Sequence, residues 1–381
     1  MHPLNTFVII LLAIAMSFMP PMPSCGQEPI VLGQSCALTG PARNLGIEMR
    51  AGLLAAFAQV NEAGGVKGRQ IQLISLDDSY EPDRAVANTI RLINEFNVFL
   101  LIGEVGTPTS RAVLPLIQRY NVPFFAPFTG DELLRTPFNS LIVNVRASYY
   151  QEMEAIVRYL VDKRHLTRIA CLYQNDTYGL AGLNGLKLAL KRRNMSLVAH
   201  GSYERNTVAV MGALKKIAAE RPEAVVMVGA YSACAEFIKL YKAKVQDNTL
   251  FCNISFVGTE SLYNELGTYG ENVIVSQVVP YPMSNTLPIL SEYRAAMHKY
   301  QHDAPISFTT LEGYLAGRLF ARVAEMVSGE LTRENFLATL EKTGVFDLGG
   351  LVLRFGENDH QGLDEIYLTT IYPSIHLLDE D

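Results

Sequence analysis

The chain lacks a surplus of positive charge: 32 lysines and arginines stand against 38 aspartates and glutamates, for a formal net charge of −6. With no basic footprint, an extended phosphate partner such as DNA or RNA is excluded as the main target. Phosphate loops are missing too. Neither GxxxxGK[ST] nor a GxGxxG at a strand-to-helix turn occurs, so a nucleotide has no cradle. The segment GQSCA at 33–37 is not a GxSxG elbow, HExxH is absent, and His298 and His302 sit on a charged helix that reads as a solvated face. No nucleophile–base pair stands out, which leaves no candidate catalytic residue, cofactor or metal ligand. CxxC is absent as well. Cys36, Cys171, Cys234 and Cys252 each lie in or beside an apolar stretch and read as small buried hydrophobes, with no disulfide expected.

Membrane-length apolar runs are also lacking. The run from Phe7 to Met19 is 13 residues long, too short to span a bilayer and about right for the apolar region of a signal peptide, although no Lys or Arg precedes it. Pro20, Pro21 and Pro23 then break the chain, so residues 1–26 are expected to be an export leader. Cys25 follows Ser24 where a bacterial lipoprotein would be cleaved and acylated, while Met22 and Pro23 fit a lipobox poorly. Lipidation at Cys25 and plain cleavage both stay open. The expected location is periplasmic or otherwise extracytoplasmic, with the mature chain soluble or tethered at one end.

What is present is regular alternation. Strand-like segments at 29–35, 69–78, 97–103 and 121–127 alternate with helix-like ones at 42–65, 81–96 and 107–120. The pattern restarts after 140–145 with strands at 168–174, 197–203, 224–230, 250–258 and 272–280. Short βα connections imply parallel sheets covered by helices, and two such sets imply two Rossmann-like lobes. Helices at 288–300, 307–328 and 332–343 follow without a linker, so the chain is expected to cross back to the first lobe. Strand-like segments at 351–355 and 365–372 close it.

In such sheets ligands bind beyond the carboxyl ends of the strands. The loops to inspect are therefore 35–46, 103–110, 126–135, 175–182, 229–234 and 256–261, all rich in small, hydroxyl and aromatic residues. In FLLIGEVGTPTS (99–110), Thr107 and Thr109 either cap the helix that follows or offer hydroxyls and free N–H groups to a small anion such as a carboxylate. The acids Asp77 and Asp78 stand beside a helix start and read as caps.

The segment LTGPARNLGIEMRAGLLAAFAQVNEAGGVKGRQIQLISLDDSYEPDRA (38–85) resembles the opening of type I periplasmic solute-binding proteins, above all the leucine/isoleucine/valine-binding proteins of ABC importers. IGEVGTPTSRAVLPLIQRYNVPFFAPFTG (102–130), VRASYYQE (145–152), IACLYQNDTYG (169–179) and SFTTLEGYLAGRLF (307–320) extend the likeness over about 28–375. It implies an α/β fold of two lobes, each made of discontinuous chain, joined by a three-strand hinge. The implied lobes are 28–147 plus 281–353 and 148–280 plus 354–375, with 376–381 as a tail. It further implies that hinge closure traps a small amino-acid-like or carboxylated or amide ligand without catalysis.

Carried over by position, the ligand-binding residues implied in the first lobe are Thr107 and the Ala126-Pro127-Phe128-Thr129 turn. In the second lobe they are Tyr178 and Tyr231, with Arg146 and Tyr150 at the hinge and Leu38 in the first loop. The acid that takes the ligand's ammonium in leucine-binding relatives falls on Ser255, and Glu260 could replace it only if its loop shifts. Where some relatives carry a disulfide, this chain has Tyr80 and Gly106. The implied partners are a small-molecule ligand and the membrane permease of an ABC importer, with a monomer expected. The alternative is a sensor of the same fold that reports its ligand to a membrane-bound regulator.

Overall fold

The structure, a computed structural model, describes residues 27–245 and 248–378. The expected leader, with Cys25, lies outside them. No helix among the described residues is long and apolar enough to cross a membrane.

The first sheet holds β1 (Ile30–Cys36), β2 (Ile71–Asp77), β3 (Leu101–Ile102), β4 (Phe124–Phe125) and β5 (Ile142–Val143), in the order β2-β1-β3-β4-β5 and all parallel. Between them run α1 (Arg43–Glu62), α2 (Pro82–Asn94) and α3 (Thr107–Tyr120). A parallel sheet covered on both faces needs strands apolar on both faces, and Phe124, Phe125, Ile142 and Val143 are all buried.

Next come α4 (Tyr149–Val157), β6 (Ile169–Gln174), α5 (Thr177–Lys191), β7 (Ala199–Tyr203), α6 (Met211–Ala219), β8 (Ala224–Val228), α7 (Tyr231–Lys244), β9 (Leu250–Asn253), α8 (Thr259–Leu266) and β10 (Val273–Gln277). A wider π turn over Arg158–Lys163 extends α4. Beyond these lie α9 (Pro288–Tyr300), α10 (Phe308–Met326), α11 (Arg333–Thr343), β11 (Val345–Asp347), β12 (Val352–Arg354), β13 (Tyr367–Thr370) and β14 (His376–Leu377).

The second sheet runs β14-β13-β10-β9-β8-β6-β7. It is not wholly parallel: β13 pairs antiparallel with β10, and β14 with β13. Part of the expected tail is therefore an edge strand. β11 and β12 form a separate hairpin. The strand expected over 250–258 stops at Asn253, because Ser255–Val257 turn as a short 3₁₀ segment.

The late helices return to the first sheet, where α10 lies against α1. At their crossing a Cβ on Gly52 would stand 2.0 Å from the Thr310 carbonyl oxygen, and one on Gly313 would stand 2.3 Å from that of Met49. Only glycine allows backbones this close. Two of the chain crossings between the sheets also run side by side. The Asn144 N–H donates to the His360 carbonyl (2.7 Å), and the Gly362 N–H donates to that of Asn144 (2.9 Å).

Candidate functional site

Two turns at the carboxyl ends of β3 and β4 zip together. The Phe128 N–H donates to the Glu104 carbonyl (2.7 Å) and the Gly106 N–H to that of Phe128 (3.2 Å). Neither threonine of the GTPT loop caps α3. Its N-cap is Gly106, with no side-chain cap, and Thr109 Oγ1 turns back to the Val105 carbonyl (2.5 Å). The Thr107 hydroxyl is instead 2.6 Å from that of Thr129, which in turn lies 3.1 Å from the Tyr149 hydroxyl. Capping and ligand binding do not compete for Thr107, because α3 starts without its hydroxyl.

Gly106 has φ +105°, and a Cβ there would stand 2.1 Å from the Tyr80 ring. The ring of Tyr80 thus fills the space over Gly106 where the resemblance puts a disulfide in some relatives. Asp77 and Asp78 do stabilise turns, though not as helix caps. Asp77 Oδ1 accepts from the Leu38 N–H (2.8 Å), and Asp78 accepts from the Ser35 hydroxyl and the Tyr80 N–H (2.8 Å each).

From the second sheet, Asp176 caps α5 by accepting from the N–H groups of Tyr178 and Gly179. This fixes Tyr178, fully buried, beside Phe256 at 4.6 Å between ring centroids. Phe256 also meets Phe128 at 5.3 Å and Tyr80 at 6.1 Å, and Tyr149 meets Tyr178 at 5.6 Å. Aromatic groups of both sheets therefore share one seam.

The floor of the seam is charged. Arg146 is 1% exposed, with its guanidinium 4.9 Å from the centre of the Phe128 ring. It pairs with Glu152 at 3.3 Å and faces Glu312 at 3.7 Å, and its Nη2 donates to the Ser255 hydroxyl. Glu152 also accepts from the Ser255 N–H (2.7 Å), the Ser255 hydroxyl (2.9 Å) and the Ser276 hydroxyl (2.5 Å). Arg146 Nε and Nη1 are buried and have no hydrogen-bond partner. Burial would loosen the Arg146 proton, but Glu312 and Glu152 outweigh it and hold the guanidinium charged. Burial pushes Glu312 up to about 7 against the pull of Arg146, and pushes the Tyr149 phenol to about 12.

Further out, the two halves are bonded across their mouth. Arg205 pairs with Glu81 at 2.8 Å, and Asn44 Nδ2 donates to the Ser261 hydroxyl (3.0 Å). Glu48 accepts from the hydroxyls of Ser307 (2.6 Å) and Ser261 (3.4 Å), while Glu260 accepts from the Phe308 N–H (3.2 Å). Burial pushes Glu48 up to about 7. It pushes Glu260 up to about 8, with Glu48 adding to the rise.

Of the residues expected from sequence, Thr107, Phe128, Thr129, Arg146, Tyr178 and Ser255 come together at this seam, joined to the turn that begins at Ala126. Ala126 itself holds φ +50° and shapes the turn through its backbone. Tyr231 stands at the mouth, its hydroxyl accepting from the Asn44 N–H (3.4 Å). Two expectations need correction. Tyr150 is turned away onto α5, where a Cβ on Gly185 would stand 2.8 Å from its ring, and Tyr149 takes the place beside Thr129. The Leu38 N–H is already bonded to Asp77, leaving only its half-buried side chain. Glu260 bonds the start of α10 instead of replacing an acid at 255. The acid that bonds Ser255 is Glu152, which sequence reasoning missed along with Tyr149, Phe256 and Glu312. Glu152 and Glu312 lie within VRASYYQE and SFTTLEGYLAGRLF, so an acid recurring in each hinge-side segment was the available signal.

A family model described as periplasmic binding protein matches residues 29–373. The Leu/Ile/Val-binding protein of Escherichia coli (strain K12) is 22% identical over 257 residues, 67% of this chain and 69% of that protein. The crystal structure of a possible leucine/isoleucine/valine-binding protein from Rhodopirellula baltica SH 1 superposes with a TM-score of 0.88 at 37% identity, covering 94% of this chain and 98% of that one. A solute binding protein of an ABC transporter from R. palustris, in complex with benzoate, superposes at 0.81 with 18% identity, covering 92% and 95%.

Proposed function

This chain belongs to the type I periplasmic binding protein family, of the leucine/isoleucine/valine-binding-protein-like kind, and on that premise we propose that it captures a small amino-acid-like or amide ligand between two lobes and delivers it to the permease of an ABC importer. Capture needs no chemistry. It needs two rigid surfaces that meet over the ligand and a hinge that lets them part.

The observation that carries this reading is the seam itself. Thr107, Thr129 and Phe128 reach it from one sheet, Tyr178, Ser255 and Phe256 from the other, and Arg146 and Tyr149 from the crossing between them. We take the lobes as 28–147 plus 281–353 and 148–280 plus 354–375, in line with the return of α10 to α1 and the pairing of β13 with β10. The protein works outside the cytoplasmic membrane, as its family does, and acts as a monomer.

The test is a thermal-shift and titration screen of amino acids, amides and aromatic acids, repeated on Thr107→Val and Tyr178→Phe. A ligand of the closed form raises the melting temperature by mass action. Each variant should then weaken binding while leaving the unliganded melting temperature nearly unchanged. Unaltered affinity in both would remove these residues from the site.

A further inference from the structure

We propose that Glu312 is a specificity-determining residue: with Arg146 and Glu152 it sets the cleft to accept a ligand of zero net charge that carries an acceptor beside a donor, and to turn away simple carboxylate anions. This rests on the ligand-cleft reading above.

The argument starts from Glu152. Its two oxygens already accept from Arg146, from the Ser255 N–H and hydroxyl, and from the Ser276 hydroxyl, so its bonding capacity is spent inside the protein. It also neutralises Arg146. The guanidinium nevertheless keeps two donors, Nε and Nη1, buried and unpartnered. A nine-tenths buried cation with unmet N–H groups is an expensive arrangement unless something completes it.

Glu312 stands next to those donors without completing them. It is 5% exposed and 3.7 Å from Arg146 Nη1, an ion-pair distance but beyond a hydrogen bond, and no other group among the described residues donates to it. An acceptor in need of donors thus faces donors in need of an acceptor. The charged and titratable groups around them are Glu152 and Tyr149 on α4, Tyr178 on α5, and Arg135, whose Nη2 donates to the Arg146 carbonyl (2.8 Å) and whose own charge faces Asp131 and Glu132.

Charge decides which molecule these groups can hold once the lobes part and close again over it. With Glu312 ionised, Arg146, Glu152 and Glu312 sum to one negative charge. A carboxylate anion would bond Arg146 but raise that sum to two in a buried space, where like charges are poorly screened. An amino-acid zwitterion adds nothing to the sum. Its carboxylate would accept from Arg146 and its ammonium would donate to Glu312. A primary amide does the same with its carbonyl oxygen and NH₂ group. Glu312 thereby supplies the negative partner that Ser255 cannot.

The probes are leucine, benzamide and benzoate, the last two nearly equal in shape and different in charge. Titrated into the full protein, leucine or benzamide should bind and benzoate should bind at least about tenfold more weakly, the factor that one pKa unit of repulsion represents. Glu312→Gln should bring benzoate up by about that factor relative to benzamide, and Glu312→Asp, which keeps the charge, should keep the discrimination. The unliganded melting temperatures of both variants show that they fold. Benzoate binding as well as benzamide, or a ratio unchanged in Glu312→Gln, overturns the role of Glu312 and leaves the binding-protein reading standing. If no member of the wider screen binds at all, both readings fall.

Discussion

Thr107, Thr129 and Tyr149 form one hydroxyl chain across the seam, and what each residue there does depends on which neighbour its geometry selects. Tyr149 and Tyr150 are adjacent in sequence, yet a helix turns by about 100° per residue, so one meets Thr129 and the other packs on α5. Composition cannot separate them; the start of the helix does. Removing the Arg146 charge should be costly, because Glu152 and Glu312 would be left buried without their cation. Arg146→Met is expected to lower stability by ~3–5 kcal/mol, measured by urea unfolding. Ser255→Glu, which restores the acid that the family resemblance implies at this position, should destabilise as well. It would replace a donor to Glu152 by a like charge, and a melting temperature equal to that of the parent would contradict the geometry described.

The loop of Thr107 was legible in the sequence because a parallel sheet delivers its strand-end loops to one edge, whereas Thr129, Phe128 and Tyr178 were named through the family resemblance. Glu152 and Glu312 were not legible, because their meaning comes from residues more than a hundred positions away in the chain, such as Ser255 and Arg146. Local pattern shows an acid in each of the two segments and does not say which residues it will face.

Among the elements, strand periodicity was readable where runs are apolar on both faces, as in β8, and failed where apolar side chains serve the cleft. The run after Asn253 holds Phe256 and Val257, which are buried but turn out of the sheet. An apolar run of that length does not tell a strand from a turn that feeds a seam. The short hairpin of β11 and β12 was half seen, its first strand being only Val345–Asp347. Packing of α1 on α10 is the clearest element-scale prediction. Gly313→Ala places a Cβ into the Met49 carbonyl region and should cost ~1–3 kcal/mol, read from the urea midpoint. Gly212, where nothing lies within 4 Å of an added Cβ, is the control.

For the whole molecule, the acids at the mouth are expected to make closure of the proposed cleft depend on pH. Glu48 comes from α1 and Glu260 from α8, and they meet around Ser261, Ser307 and Tyr293. In the closed arrangement they hold their protons up to about 7 and about 8, above the ordinary value of an exposed glutamate. The closed form therefore binds protons more tightly than a parted one, so acid favours closure. The advantage is complete below about pH 4 and is lost as pH rises through the two raised values. The closed fraction of the unliganded protein, read by small-angle X-ray scattering, should accordingly fall between pH 5 and 8, and Glu260→Gln should flatten the slope; an equally steep slope in that variant would exclude this pair as its source.

The central claim, that a ligand is held by two lobes closing over it, is tested most directly by the distance between them. Spin labels at Ile47→Cys and Leu180→Cys, both on exposed positions of opposite lobes, report that distance by double electron–electron resonance, and the four described native cysteines are buried. Adding leucine or benzamide at a concentration that raises the melting temperature should collapse a broad distribution onto one short distance. A probe that stabilises the protein while leaving the distribution unchanged would place its site elsewhere and contradict the account.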